Sequence, residues 1–226
     1  MGVWRLSLFV GYAQTDLQNG GTLAVPQFVN VGSSKEINLQ TIKPTGDDTS
    51  DNVSVQTLDA YGRTATSYMW INWAGENSDQ EAWVDDEYTV VEGVTVAPGA
   101  GLFVLGSSAE QGLQTAGKVE TSDVVVTLRN GATCTGNPFP VELDLQDIVA
   151  EGDDTSDNVS LQTLDAYGRT ATSYMWINWA GENSDQEAWV DDEYTIVQNV
   201  KFAPGAGLFV LGSSDSQSIR FPAPEL

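Results

Sequence analysis

The chain reads as all-β: two tandem homologous β-sandwich-like units, packed together. Three observations predict this. Residues 46–108 recur at 152–214 with a constant offset of 106 residues and no gap, the mark of one folding unit used twice. Apolar and polar residues alternate with period two along several short segments, as half-buried strands do. Gly, Pro, Asn and Asp break those segments every 8–12 residues or so, the rhythm of a sandwich or barrel.

The repeat places a first unit at 1–119 and a second at 120–226. Over 63 aligned positions the copies differ at six: Val55/Leu161, Val90/Ile196, Glu92/Gln198, Gly93/Asn199, Thr95/Lys201 and Val96/Phe202. A unit of about 100 residues buries a core without disulfide staples. That suits a chain whose single cysteine is Cys134.

The elements follow in order. The opening MGVWRLSLFVGYAQT has one basic residue, Arg5, before a short apolar run, and reads as a first strand rather than a signal peptide. Trp4–Val10 and Gly21–Val31 supply further strands. Glu36–Ile42 is a strand or a single helical turn, with its counterpart at Glu142–Ile148. Val53–Leu58 alternates as a strand, Ala60–Arg63 turns, and Thr64–Trp73 returns as the second arm of a hairpin. On that arm Met69, Ile71 and Trp73 face one way, and Tyr68 and Trp70 the other. Trp73 is assigned to the core and Trp70 to the exposed face. Glu81–Val91 is a third strand, bulged at Asp85-Asp86. Val94–Ala97 ends at the tight turn Pro98–Gly101, and Leu102–Leu105 is a buried strand. Gln114–Val119 and Asp123–Leu128 are strands, Arg129-Asn130-Gly131 is a turn, and Asn137–Pro140 is a rigid corner. Ser218–Phe221 takes the place that Leu113–Lys118 holds in the first unit. No long Gly/Ser linker separates the units, so they are expected to pack together.

Charge bounds the partners. The chain has 32 acidic and 9 basic residues, a formal net charge of −23. Residues 46–108 hold 11 acids against Arg63 alone, and residues 152–214 hold 10 against Arg169 and Lys201. Such surfaces repel phosphate backbones and anionic lipid, so neither nucleic acid nor membrane insertion is expected. Histidine is absent. That excludes Ser-His-Asp and Cys-His catalysis and any histidine-based zinc site.

Two features are candidates for binding. Asp47, Asp48 and Asp51, repeated as Asp153, Asp154 and Asp157, put hard oxygen ligands close together, and Ca2+ is the metal they suit. Their spacing is not that of an EF-hand, and turn formation explains the same residues. No other cofactor is indicated. The second feature is aromatic: Tyr68, Trp70 and Trp83, with Tyr174, Trp176 and Trp189. Exposed rings of this kind grip sugar rings or anchor interfaces. The acidic triplets Asp85-Asp86-Glu87 and Asp191-Asp192-Glu193 alternate between strand faces, so they do not converge as a glycosidase pair must.

Gly136-Asn137-Pro138-Phe139-Pro140, followed some 60 residues later by Ala203-Pro204-Gly205-Ala206-Gly207-Leu208-Phe209-Val210, resembles β-rich repeat modules of bacterial secreted and surface proteins. The first unit keeps Pro98–Val104 but has Val31-Gly32-Ser33-Ser34 in place of the Gly-Asn-Pro-Phe-Pro stretch. The resemblance implies a non-catalytic β module used for structure, adhesion or display, outside the cell, on its surface or in a virion. The expected function is a non-enzymatic structural protein that self-associates as a homo-oligomer or polymer. The alternative is a carbohydrate-binding or adhesive module that recognises glycans through its repeated Trp and Tyr residues.

Overall fold

Every sheet is assembled within one half of the chain. The computed structural model describes residues 10–17, 20–24, 28–29, 36–59, 61, 63–73, 80–164, 169–179 and 186–224. Most of the apolar N-terminal run and the stretch Val31–Ser34 lie outside them. In the first half the strands are β1 (Val10–Asp16), β2 (Gly20–Ala24), β3 (Phe28–Val29), β4 (Ile37–Asn38), β5 (Lys43–Thr45), β6 (Ser54–Leu58), β7 (Thr64–Ile71), β8 (Ala82–Val84), β9 (Thr95–Val96), β10 (Leu102–Gly106) and β11 (Gly112–Val119). In the second they are β12 (Val124–Thr127), β13 (Gly131–Gly136), β14 (Leu143–Asp144), β15 (Val149–Glu151), β16 (Ser160–Leu164), β17 (Thr170–Ile177), β18 (Ala188–Val190), β19 (Lys201–Phe202), β20 (Gly207–Gly212) and β21 (Ser218–Phe221). Among the described residues there is no α-helix. The helical turns expected before each copy are single 3-10 turns, Leu39–Thr41 and Leu145–Asp147.

Each half stacks a five-stranded antiparallel sheet on a smaller one. The large sheets run β2-β10-β6-β7-β8 and β13-β20-β16-β17-β18. Facing them are β1-β11-β3 with β5 beside β11, and β12-β21-β15. Registers correspond at the 106-residue offset: Leu113 opposes Pro44 as Ile219 opposes Ala150. Small ladders β4-β9 and β14-β19 close one side of each half. The N-terminal strands β1 and β2 do in the first unit what β12 and β13 do in the second. β13 was not expected, because Gly-Ala-Thr-Cys-Thr-Gly carries little of the bulk that marks a strand.

The cores sit between the layers. Val55, Trp70, Trp83 and Leu102 from the first large sheet meet Ile42 and Leu113. Leu161, Trp176, Trp189 and Leu208 meet Ile148 and Ile219 in the second, with Phe139 and Phe202 added. A seam between halves packs Leu58 and Phe103 against Ala132, Cys134, Phe209 and Leu211. The first unit's Pro98–Gly101 turn is pinned there: Gly101 N–H donates to the Cys134 carbonyl at 3.0 Å, and the Thr135 hydroxyl to the Gly99 carbonyl at 2.6 Å.

Two glutamines fasten each unit. The Gln40 amide donates to the Trp83 and Val91 carbonyls at 2.9 and 2.7 Å and accepts from Trp83 N–H at 3.0 Å. Gln146 repeats this with Trp189 and Val197. Gln111 accepts from Ser107 N–H and donates to the Asp47 and Asp48 carbonyls, and Gln217 does the same beneath the second loop. Asn137 of the Gly-Asn-Pro-Phe-Pro stretch is also a buried hub. Its amide donates to the carbonyls of Val141, Phe202 and Ala203 and accepts from Phe139 N–H.

The third strand expected over Glu81–Val91 ends at Val84. Asp85 accepts from Glu87 N–H at 3.0 Å and Thr89 N–H at 2.8 Å, and this side-chain turn folds the chain back so that Val90 bridges Val84. At the β6–β7 hairpin tip, Asp59 accepts from Tyr61 and Arg63 N–H and pairs with the Arg63 guanidinium. The Arg63 backbone N–H foremost, with its guanidinium and the Tyr61 N–H, holds this carboxyl below its ordinary value.

Two tests follow from these contacts. Trp189 Nε1 donates to the buried Ile148 carbonyl at 2.7 Å, whereas Trp176 Nε1 is buried without a partner. Trp189→Phe should therefore cost about 1–3 kcal/mol more than Trp176→Phe, the penalty for orphaning a buried polar group, read as the difference between their urea midpoints. Because Asp59 titrates lower when folded, its contribution is complete above the unfolded value and is lost as pH falls through the folded one. Amide exchange at Tyr61 and Arg63, corrected for its intrinsic pH dependence, should lose protection only below the ordinary carboxylate range.

Candidate functional site

The aromatic residues singled out from the sequence are mostly core. Trp70 is 3% exposed and Trp83 is fully buried, and Trp176 and Trp189 match them. Each pair packs edge to face, with ring centroids 5.3 Å apart. Tyr68 and Tyr174 are half-buried against the same cores. The two faces of the Thr64–Ile71 strand are partitioned as the alternation predicts, but the inward face is the opposite one. Tyr68 and Trp70 look into the sandwich. Met69 and Ile71 join Ala82, Val84 and Val90 in a small cluster on the other side. Trp73, assigned to the core, lies beyond the strand end and is 45% exposed.

The aspartate loops do not assemble a metal centre. Among the described residues no three acidic, cysteine or histidine groups converge on a point. Asp47, Asp48 and Asp51 are exposed, as are Asp153, Asp154 and Asp157. The Asp47 and Asp48 carbonyls, potential oxygen ligands, accept from Gln111 instead. These residues serve as turn formers. Asp48 and Asp51 take φ of +53° and +61°, as do Asp154 and Asp157, a conformation Asp tolerates better than most residues. Gly46 precedes them at φ +96°, where an added Cβ would strike the Glu110 carbonyl.

The exposed aromatic feature is a pair absent from the sequence-derived set. Trp73 stacks on Tyr88 with centroids 5.5 Å apart and planes 23° from parallel, and Trp179 stacks on Tyr194 at 5.5 Å and 24°. Both tyrosines are 48% exposed. β7 and β17 deliver the tryptophans just past their ends, and the Asp85 and Asp191 side-chain turns deliver the tyrosines. Tyr88 and Tyr194 each adopt φ of +60°. Among the described residues every other position at positive φ is Gly, Asn or Asp. Gly93 (φ +74°) exchanges with Asn199 (φ +61°) between the copies, as backbone tolerance dictates. Tyrosine there costs on the order of 1–2 kcal/mol, offset in part by a stack worth about 0.5–1.5 kcal/mol.

Nothing else in the described residues gathers reactive groups. Cys134 sits in the seam beside a partly open cavity of about 160 Å3, lined by Leu58, Ala100, Leu102 and Arg129 among others. Burial pushes its thiol far up, against a small opposing effect of Arg129, so it stays protonated. Among the described residues no helix is long and apolar enough to cross a membrane. No family model matches the chain, and no curated protein or solved structure matches it either.

The strain at Tyr88 and Tyr194 makes a stability prediction. Tyr88→Gly with Tyr194→Gly releases the backbone while losing the stacks, so the urea midpoint should stay near that of the wild type. Tyr88→Val with Tyr194→Val forces a β-branched residue to positive φ and should lower it clearly, by roughly 2 kcal/mol or more in total.

Proposed function

We propose that the protein is a non-enzymatic structural component that self-associates into a filament, sheath or shell at a cell surface or in a particle. One observation carries this reading: β7 and β17 each leave one stretch of strand edge open. β8 covers β7 only along Met69–Ile71, and among the described residues no strand lies against Thr64–Tyr68 on that side. Thr64–Ser67 and Thr170–Ser173 are exposed residue after residue, on a strand whose other edge is paired with β6 or β16. An open edge of this kind is a template for a further strand.

The backbone directions support the same reading. Trp70 N–H donates to the Val53 carbonyl, and the Trp70 carbonyl accepts from Asp51 N–H, both at 2.9 Å. Trp70 and, by alternation, Tyr68 therefore turn their peptide groups toward β6. Ser67 turns its own toward the open side. The edge sequence Thr-Ala-Thr-Ser-Tyr carries no charge and no proline, the devices that usually blunt an edge. Two open edges per chain give two valences, and a bivalent unit grows into a polymer instead of stopping at a dimer. The net charge of −23 opposes approach until salt screens it.

Ser67→Pro with Ser173→Pro removes outward N–H groups without touching the β6 or β16 ladders. Sedimentation should show salt-promoted, concentration-dependent oligomers for the wild type and monomers for this variant, with unchanged circular dichroism. Ser67→Lys with Ser173→Lys should act likewise through charge. A wild type that stays monomeric at high salt and high concentration would overturn the reading.

A further inference from the structure

We propose that Trp73–Tyr88 and Trp179–Tyr194 are two equivalent binding sites for a cationic group, an arginine side chain or quaternary ammonium, carried by a basic partner. The site is independent of the strand edges. Its first support is the backbone: a tyrosine stands at φ +60° in both copies, where the other described residues at positive φ are Gly, Asn or Asp. A turn alone does not need a ring there. What the ring adds is a half-exposed π system stacked on a second half-exposed ring.

Charge selects the ligand. Asp86 and Glu87 immediately precede Tyr88, and Asp192 and Glu193 precede Tyr194; all four are exposed. Their carboxylates make no ion pair among the described residues. A ring face attracts a cation through its quadrupole, and the acidic field of the repeat draws one in from a distance. A neutral sugar stacks on the same ring but gains nothing from that field, and an anion is repelled. The molecule contains a small version of the arrangement: the Arg63 guanidinium lies over the Tyr61 ring, 4.9 Å from its centroid, and pairs with Asp59 at 2.8 Å. Two such sites in one chain suit a ligand that bears several cations, because the second contact becomes intramolecular.

The test uses the full chain labelled with 15N. Tetramethylammonium chloride, an oligo-arginine peptide and a neutral cello-oligosaccharide are titrated separately, with sodium chloride as control, while the indole N–H signals of Trp73 and Trp179 are followed. Both signals should shift with the ammonium ion and with the peptide. Peptide affinity should fall at least tenfold from low to high salt, and at least tenfold in Tyr88→Gly with Tyr194→Gly at unchanged melting temperature. Aspartate-to-asparagine and glutamate-to-glutamine changes at 86, 87, 192 and 193 should weaken it with the rings intact. The proposal fails if neither indole signal responds to the cations, if the oligosaccharide shifts them with salt-independent affinity and the cations do not, or if the peptide binds the glycine variant as tightly as the wild type.

Discussion

Each sandwich depends on a glutamine amide that clamps the outer strand of its large sheet. β8 and β18 are three residues long, paired with β7 or β17 on one side and bridged by the returning chain at Val90 or Ile196 on the other. Gln40 and Gln146 reach across about forty residues of sequence and bond both the N–H and the carbonyl of Trp83 and Trp189, much as a neighbouring backbone would. The indole then drops into the core and bonds the Ile42 or Ile148 carbonyl at 2.7 Å. One residue is fixed by backbone and side chain together, and the rest of the core is arranged around it. The edge-to-face partner ring, the 3-10 turn and the position of the Asp85 or Asp191 turn all refer to this anchor.

The same anchor fixes the base of the turn that carries the exposed tyrosine. Val91 N–H donates to the Trp83 carbonyl and Asp85 N–H to the Thr89 carbonyl, each at 3.0 Å, so the turn that bears Tyr88 closes directly on the anchored residue. A rigid interior thereby presents a strained surface residue, and the cost of the left-handed tyrosine is carried by a turn whose base is fixed.

Much of the fold was legible because it rests on local alternation and on the repeat. The hairpins, the Pro98–Gly101 turn and the equivalence of Ser218–Phe221 with Leu113–Lys118 all follow from spacing alone. Which face of β7 points inward was not legible. Both faces carry large apolar residues, Met69 and Ile71 against Tyr68 and Trp70, and period two separates the faces without ranking them. The misassignment of Trp73 followed from that ambiguity, compounded by extending the strand past Ile71. The aspartate loops looked like metal ligands because spacing does not reveal where carbonyls point, and the Gln111 and Gln217 amides take those carbonyls. Those glutamines did have a signal: identity at the same 106-residue offset beyond the dense copy, at Gln40/Gln146 and Gln111/Gln217.

A chain built from two nearly interchangeable halves risks folding with strands exchanged between them. Two of the six differences, Thr95/Lys201 and Val96/Phe202, fall in β9 and β19, and these strands pair with segments outside the dense copy. Val96 opposes Ile37, whereas Phe202 opposes Leu143. Thr95 donates to Glu36 at 2.8 Å, whereas Lys201 lies 3.8 Å from Glu142. Phe202 placed in the first half would overfill a space shaped for valine, and Val96 in the second would leave a void beside Phe139, either of which is destabilising. The small ladders thus act as address labels, assigning each copy to its own half while the sequence between them stays almost the same.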